Sequence, residues 1–99
     1  MIKRIVKLTF REDEVYTFIK IFERKKKKIR ACKGCLHLEL WRDVKMPNVF
    51  FTYSFWESED DLNAYRHSDL FQKTWKKTKA LFSDKPMAWS VDMVDDVKN

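Results

Sequence analysis

A tryptophan at the end of a predicted strand is the residue best placed to hold an aromatic ligand. The apolar run Val49–Trp56 stops at Trp56, and Ser58 with Asp61 three residues later has the spacing of a helix N-terminal cap. Trp56 therefore lies beside space that the following helices have to cover. It serves there either as a core aromatic or as the wall of a pocket, and both roles predict that it is mostly buried.

The two histidines are the candidates for proton transfer. His37 and Glu39 lie two residues apart on one face of a predicted strand, where they form either a structural hydrogen-bonded pair or a proton relay, the structural pair being the simpler interpretation. His37 points into a pocket or toward a second copy of the chain, depending on which sheet face the helices cover. His67 lies between two predicted helices, where we expect a solvent-facing or capping residue.

The two cysteines form a lone C-x-x-C, Cys32-Lys33-Gly34-Cys35. Zinc would need two further ligands, and only His37 and His67 exist to supply them. A redox pair lies at a helix N-terminus, where the helix dipole lowers a thiol pKa, whereas this pair follows a helix and precedes a strand. The sequence therefore predicts neither a metal site nor a redox function for the cysteines.

The composition predicts one folded domain. The chain has 99 residues, 44% of them hydrophobic, with one glycine and two prolines, so we expect a single domain over residues 1–99 with a core from about 2 to 94 and short connections. No apolar run is long enough to span a bilayer, and the first residues lack the apolar stretch of a signal peptide. We expect a cytoplasmic protein with no membrane partner.

The net charge of +6 is concentrated in one segment. Eight basic residues fall between positions 20 and 33: Lys20, Arg24, Lys25, Lys26, Lys27, Lys28, Arg30 and Lys33. The simpler interpretation is a solvated helix face, and the alternative is a site for nucleic acid or another acidic partner. No RNA-binding signature, zinc finger or helix-turn-helix supports nucleic acid. At Lys25 or Lys26 the apolar seam of the helix is charged, and that lysine either lays its stem on apolar surface or reaches into a pocket.

Hydrophobic periodicity predicts four strands and three helical stretches. In chain order they cover residues 2–10, 12–31, 35–42, 49–56, 58–66, 68–82 and 87–93. Gly34, the only glycine, is predicted to end the first helix in a left-handed conformation. Strict alternation on the second strand puts Leu36, Leu38 and Leu40 on one face, and Cys35, His37, Glu39 and Trp41 on the other.

This order predicts an α+β fold of the ferredoxin-like βαββαβ type. A four-stranded antiparallel sheet with helices on one face satisfies it with right-handed crossovers. The strand Val49–Trp56 carries large apolar side chains on both faces, so a two-layer monomer would expose an aromatic patch. We therefore predict a homodimer in which two copies pack these faces together.

Three motifs connect this order to a known family: Gly34-Cys35 at the start of the second strand, Phe55-Trp56-Glu57-Ser58 at the end of the third, and Ser68-Asp69-Leu70-Phe71 at the last helix start. With them, residues 2–94 resemble the antibiotic biosynthesis monooxygenase (ABM) family. The resemblance implies a dimeric α+β barrel and a pocket between sheet and helices. It implies the fold more strongly than any one activity, because the family hosts several chemistries.

The resemblance also implies which residues line the pocket. Trp56 matches a tryptophan that aromatic-oxidising and haem-degrading members keep. Thr52 stands where the former have an asparagine and can still hydrogen-bond a phenolate. Leu62 and Tyr65 stand where relatives carry a tyrosine and a histidine respectively, so the known catalytic sets are only partly present. The other expected pocket residues, alongside Trp56 and Thr52, are His37, Phe22, Phe71 and Trp75.

Haem degradation is disfavoured by the residues at two positions. Haem-degrading members use an asparagine on the first strand, where this chain offers only Lys7 or Thr9, and an axial histidine whose place falls at Trp75. An indole cannot ligate iron as an imidazole does. We therefore expect no bound cofactor.

Two functions are consistent with this pattern. The first is a cofactor-independent monooxygenase of ABM type that acts on a small aromatic or quinol-like substrate, with Trp56 stacked on it and Thr52 or His37 as polar partner. The alternative is a non-catalytic ligand-binding or stress-related dimer with the same fold.

Overall fold

The computed structural model describes residues 1–99 and contains a four-stranded sheet with three α-helices, in the predicted order. The elements are β1 (Ile2–Thr9), α1 (Val15–Arg30), β2 (Cys35–Arg42), β3 (Val49–Trp56), α2 (Glu59–Arg66), α3 (Asp69–Lys79) and β4 (Met87–Val91). A single 3₁₀ turn, Glu12–Glu14, precedes α1. None of the helices combines the length and apolar character that crossing a membrane requires.

The sheet is antiparallel with strand order β2-β3-β1-β4, which confirms the ferredoxin-like α+β prediction. β3 is central and pairs with β1 along its full length, from Ile2 opposite Trp56 to Thr9 opposite Val49. The helices cover one face of this sheet, where Leu8, Phe18 and Phe50 share a core cluster. The other face carries no helix.

Aromatic packing holds α1 against the sheet. The Phe10 and Phe18 rings stack with centroids 4.2 Å apart, and the Phe18 ring meets the Phe50 ring edge-on at 5.2 Å. A second buried cluster, Cys35, Trp56 and Leu62, joins α2 to the opposite end of the strands. The helices therefore meet the sheet at two separate places.

Serine caps fix where α2 and α3 begin, as their spacing predicts. The Ser58 hydroxyl accepts a hydrogen bond from the Asp61 amide at 3.1 Å, and the Ser68 hydroxyl accepts one from the Phe71 amide at 3.2 Å. Each bond satisfies one of the amide groups left without a partner at a helix start. The two helices are thus separated by a turn of only two residues, His67 and Ser68.

The prediction that Gly34 ends the first helix is wrong in position. α1 ends at Arg30 with Ala31 as its cap, and Gly34 lies in the turn that follows, with φ of 82°. Its carbonyl accepts a hydrogen bond from the Glu57 amide at 2.8 Å. The left-handed glycine therefore positions the start of β2 beside the end of β3 rather than terminating the helix.

The strict alternation predicted for β2 is wrong at its first residues. Cys35 pairs with Trp56 and His37 pairs with Phe55. The chain therefore advances two residues along β2 for one residue along β3, which is a β-bulge. The extra residue turns Cys35 to the helix-covered face, where it is buried. His37, Glu39 and Trp41 share one face, as the alternation predicts, and it is the face that carries no helix.

The basic segment lies largely on the solvent side of α1. Lys20, Arg24, Lys27 and Lys28 are exposed, whereas Lys25 is half-buried. The Lys26 ammonium pairs with Glu23 at 2.6 Å, one turn away. The basic side chains therefore lie on an exposed face of α1, apart from Lys25 at its apolar seam.

Replacing Gly34 should destabilise the fold. In Gly34→Ala the left-handed backbone alone costs about 1–2 kcal/mol of unfolding free energy, and the new methyl group would also collide with the Asp61 side chain. Chemical denaturation measures the loss. In an Asp61→Gly background, which also removes the Asp61 Cβ that the new methyl group would meet, the collision is relieved, so the cost of Gly34→Ala should shrink but persist. If Gly34→Ala left the stability unchanged in both backgrounds, the assignment would be contradicted.

Candidate functional site

A cavity of about 300 Å³ lies between the helix-covered sheet face and the three helices. Most residues that line it are apolar. Five of the six residues expected from the sequence are among them: Phe22, Thr52, Trp56, Phe71 and Trp75. The fold therefore brings together residues from α1, β3 and α3 that are far apart in the chain.

Trp56 forms the end wall of this cavity and is 1% exposed. Its indole Nε1 donates a hydrogen bond to the Ser54 hydroxyl at 3.0 Å. Its ring stacks on Tyr65, with centroids 4.9 Å apart and planes 23° from parallel. A buried indole needs a partner for its N–H, and Ser54 supplies it from the same strand face.

The aromatic rings of α2 and α3 continue this wall. Tyr65 meets Phe71 edge-on at 5.2 Å, Phe71 stacks on Trp75 at 5.7 Å with planes 10° apart, and Trp75 meets Phe82 at 5.6 Å. We call Trp56, Tyr65, Phe71 and Trp75 the aromatic wall. Such rings offer faces and edges to an aromatic ligand at little conformational cost.

His37 does not join the site. It lies on the helix-free face, with its ring 4.8 Å from that of Phe55. Its Nε2 contacts the Glu39 carboxylate, which also accepts a hydrogen bond from the Trp41 indole at 2.8 Å. The hydrogen bond from Trp41 is the largest influence that lowers the pKa of the Glu39 carboxyl, and the contact with His37 is the next. The expectation that His37 is a polar partner for a ligand in this cavity is therefore corrected, because the helices cover the other face.

Several polar residues line the cavity without having been singled out from the sequence as pocket residues. They are Arg4, Ser54, Arg66, Thr74 and Thr78. Arg4 alternates with Val6 and Leu8 on β1 and so lies on their helix-covered face. This alternation is the one sequence signal that could have identified Arg4 as a cavity residue. Lys25 also lines the cavity and is half-buried, so the charged seam position of α1 forms part of the cavity wall.

The side chains that line the cavity include cations and hydroxyls but no carboxylate or imidazole. Burial, followed by the positive charge of Arg66, lowers the pKa of Arg4. Burial raises the pKa of Tyr65 well above its ordinary value, and the neighbouring Cys32 and Cys35 add to this. Tyr65 is therefore a neutral phenol at physiological pH.

The cavity does not fit haem bound through an imidazole. The position expected for an axial ligand holds Trp75, whose indole is packed flat on Phe71. His37 lies on the opposite sheet face, and His67 caps the end of α2 with its Nδ1 2.7 Å from the Asn63 carbonyl oxygen. No group of three or more His, Cys, Asp and Glu side chains is arranged to hold a metal ion.

The cysteine pair has no feature of a reactive site. Both residues are free thiols. Burial raises the pKa of Cys32 and, as the largest influence, that of Cys35. The thiolate is the reactive form, so both side chains are held in the less reactive thiol form.

A family model described as antibiotic biosynthesis monooxygenase matches residues 1–77, which cover β1 through most of α3. The chain belongs to the ABM family. No curated protein matches the sequence. Membership of the ABM family agrees with the fold described above and does not name a substrate.

Solved structures share the ABM fold at low sequence identity. An antibiotic biosynthesis monooxygenase is similar to this chain with a TM-score of 0.90 and 19% identity, over 96% of this chain and 100% of that one. A Caulobacter crescentus protein provisionally given the same name has a TM-score of 0.88 and 21% identity, over 95% and 90%. A conserved protein from Methanosarcina mazei has a TM-score of 0.87 and 14% identity, over 91% of this chain and 89% of that one. At these identities the likeness shows the fold alone.

Burial of Tyr65 should make stability depend on alkaline pH. The folded protein keeps the phenol proton above pH 10, where a tyrosine in the unfolded chain loses it. The free energy of unfolding therefore falls as the pH rises above that value. Tyr65→Phe keeps the ring stack and removes the titration, so its stability should fall less steeply between about pH 9 and pH 11 in urea titrations.

The matched control for this measurement is Tyr16→Phe, because Tyr16 is 67% exposed on α1. It should keep the wild-type pH dependence. Equal slopes for the Tyr65→Phe protein and the wild type would show that Tyr65 titrates in the folded state.

Proposed function

We propose that the chain is a cytoplasmic, cofactor-independent monooxygenase of ABM type that acts on a small aromatic or quinol-like compound. The observation that carries the proposal is the cavity of about 300 Å³ that the family fold closes with the aromatic wall. A cavity of this size is at the lower end of the range for small-molecule sites. The stacked rings favour a planar aromatic occupant.

The side chains support a division of roles within this proposal. The substrate packs against the aromatic wall, where Tyr65 stacks on the buried Trp56 ring, and the Thr52 hydroxyl on the same strand face as Trp56 offers a hydrogen bond to the substrate oxygen. An electron-rich, ionised phenol reacts with dioxygen directly and supplies the electrons itself. The protein then has to bind, orient and keep water away, and these tasks need no bound cofactor.

A second candidate is a ligand-binding protein without catalysis, and one observation favours it. No carboxylate or imidazole lines the cavity, and Tyr65 holds its proton. A general base with a pKa near neutrality is therefore missing from the site. Haem degradation is not proposed, because the cavity has no imidazole to bind iron.

Oxygen uptake with a panel of quinols and polycyclic phenols tests the first candidate. We expect stoichiometric uptake with at least one of them, and a kcat/KM reduced roughly tenfold or more in Trp56→Phe, because that variant loses the Ser54 bond that orients the ring. Tyr16→Leu, which alters an exposed aromatic outside the cavity, should keep the wild-type rate. If every compound is inert but ligands raise the melting temperature, the binding protein is the correct assignment.

We also propose that the chain is a homodimer formed through the helix-free sheet face. Aromatic rings cover this face. The ring centroids of Trp41 and Tyr53 lie 4.4 Å apart, and those of Tyr53 and Phe55 lie 5.0 Å apart. Trp41 and Trp89 are 39% and 41% exposed. A soluble monomer rarely leaves such a continuous apolar surface in water, and a two-fold pair would cover it.

Light scattering at micromolar concentration tests the pairing. The wild type should have twice the mass of one chain, and Tyr53→Asp should be monomeric because it places a charge at the centre of the aromatic face. Tyr16→Asp adds the same charge on α1 and should remain dimeric. A wild-type monomer would exclude the dimer.

A further inference from the structure

Three cations line the cavity without an acidic partner. They are Arg4 on β1, Lys25 on α1 and Arg66 at the end of α2, and no Asp or Glu side chain lines the same space. None of the three forms an ion pair with a carboxylate. Arg4 and Lys25 are half-buried, whereas Arg66 is exposed at the cavity margin. Half-buried cations are commonly paired, so unpaired positive charge at an apolar cavity calls for a ligand that supplies the negative charge.

Arg4 has most of its hydrogen-bonding capacity unused. It lies on the helix-covered face of β1, opposite Ser54 on β3 and Ser90 on β4. Its Nη1 donates to the Ser90 hydroxyl at 2.9 Å, and that is its only side-chain hydrogen bond. A guanidinium has five N–H donors in a planar fork that matches an oxyanion, so Arg4 can accept a further partner.

Arg66 adds a second arginine beside Arg4 at the cavity. It follows Tyr65, whose ring stacks on Trp56, and Trp56 bonds to Ser54, the β3 residue opposite Arg4. The positive charge of Arg66 adds to burial in lowering the pKa of Arg4. Two like charges held near each other raise the free energy of the empty site. A bound anion between them would relieve the repulsion and complete both hydrogen-bonding sets.

We propose that Arg4 and Arg66 form an anion-binding end of the cavity, which selects aromatic ligands that carry an ionised oxygen, such as a phenolate. The aromatic wall holds the ring, and the two guanidinium groups hold the oxygen. This inference takes the cavity as the ligand site of the proposed function and names the charge state of its occupant.

The pair also supplies the ionisation step for which the cavity has no base. A phenol that enters the site loses its O–H proton to water, the electron pair stays on oxygen, and the phenolate remains between the two cations. Opposite charge within a few ångströms lowers the pKa of an acid by about one to three units. The titratable groups that line the cavity are Arg4, Lys25, Tyr65 and Arg66, and none of them carries a negative charge that would oppose this shift. The opposing influence is burial, which raises the pKa of the Tyr65 phenol in the same wall.

The probe for the experiment is 4-nitrophenol, whose anion alone is yellow. Titration of the bound probe should give a pKa about one to three units below that of the free compound. Arg4→Gln and Arg66→Gln should each remove most of this shift and weaken binding of the anion about tenfold or more. Arg24 is an exposed arginine on α1 outside the cavity, so Arg24→Gln should retain both the pKa shift of the bound probe and the wild-type affinity for its anion.

Charge-preserving and neutral controls separate this role from a structural one. Arg66→Lys should keep part of the shift, and 4-nitroanisole, which cannot ionise, should bind the wild type and Arg66→Gln equally. If Arg4→Gln does not fold by circular dichroism, the Arg66 series decides. Failure of 4-nitrophenol to bind, binding without a pKa shift, or a shift that survives both glutamine substitutions would overturn the proposal.

The outcome is independent of oxygen chemistry. If 4-nitrophenol binds as its anion and no quinol or phenol consumes oxygen, the anion site stands and the monooxygenase proposal fails. If neutral compounds are oxidised at unchanged rates by both glutamine variants, the monooxygenase proposal stands and the anion site is wrong.

Discussion

The central strand β3 imposes the constraint on which the rest of the structure depends. It pairs with β1 and β2 on its two edges and carries large apolar or aromatic side chains on both faces. One face has to be covered by the helices and the other by something else. On the helix-covered face of β3, Phe50 belongs to the hydrophobic core, whereas Thr52 and Trp56 line the cavity. The two helix–sheet clusters lie at opposite ends of the strand, which leaves this space between them.

The cavity occupies the space that these two clusters leave between them. Its wall is made by rings that pack on one another, so its shape is set by the same contacts that hold α2 and α3 in place. The charged end of the cavity differs from this wall, because its two arginines, Arg4 and Arg66, do not stabilise each other but repel. A site that is closely packed on its apolar side and holds like charges on its polar side reflects the usual conflict between stability and function.

Local patterns in the sequence predicted the fold well because each element is specified by its own residues. The apolar run Val49–Trp56 predicts β3, and the serines at 58 and 68 predict the two helix starts that the structure contains. The bulge at Cys35 could not be foreseen, because one inserted residue leaves the apolar pattern of β2 almost intact. The position of His37 required knowledge of which face the helices cover. Arg4 and Arg66 are 62 residues apart in the chain, and only the tertiary structure brings their charges together.

The four tryptophans fall into two groups that report on different events. Trp56 and Trp75 line the cavity, whereas Trp41 and Trp89 lie on the helix-free face, 39% and 41% exposed. An occupant of the cavity would change the emission of the first group, and contact between two copies would change that of the second. Replacing either group with phenylalanine would leave a chain whose intrinsic fluorescence observes a single process.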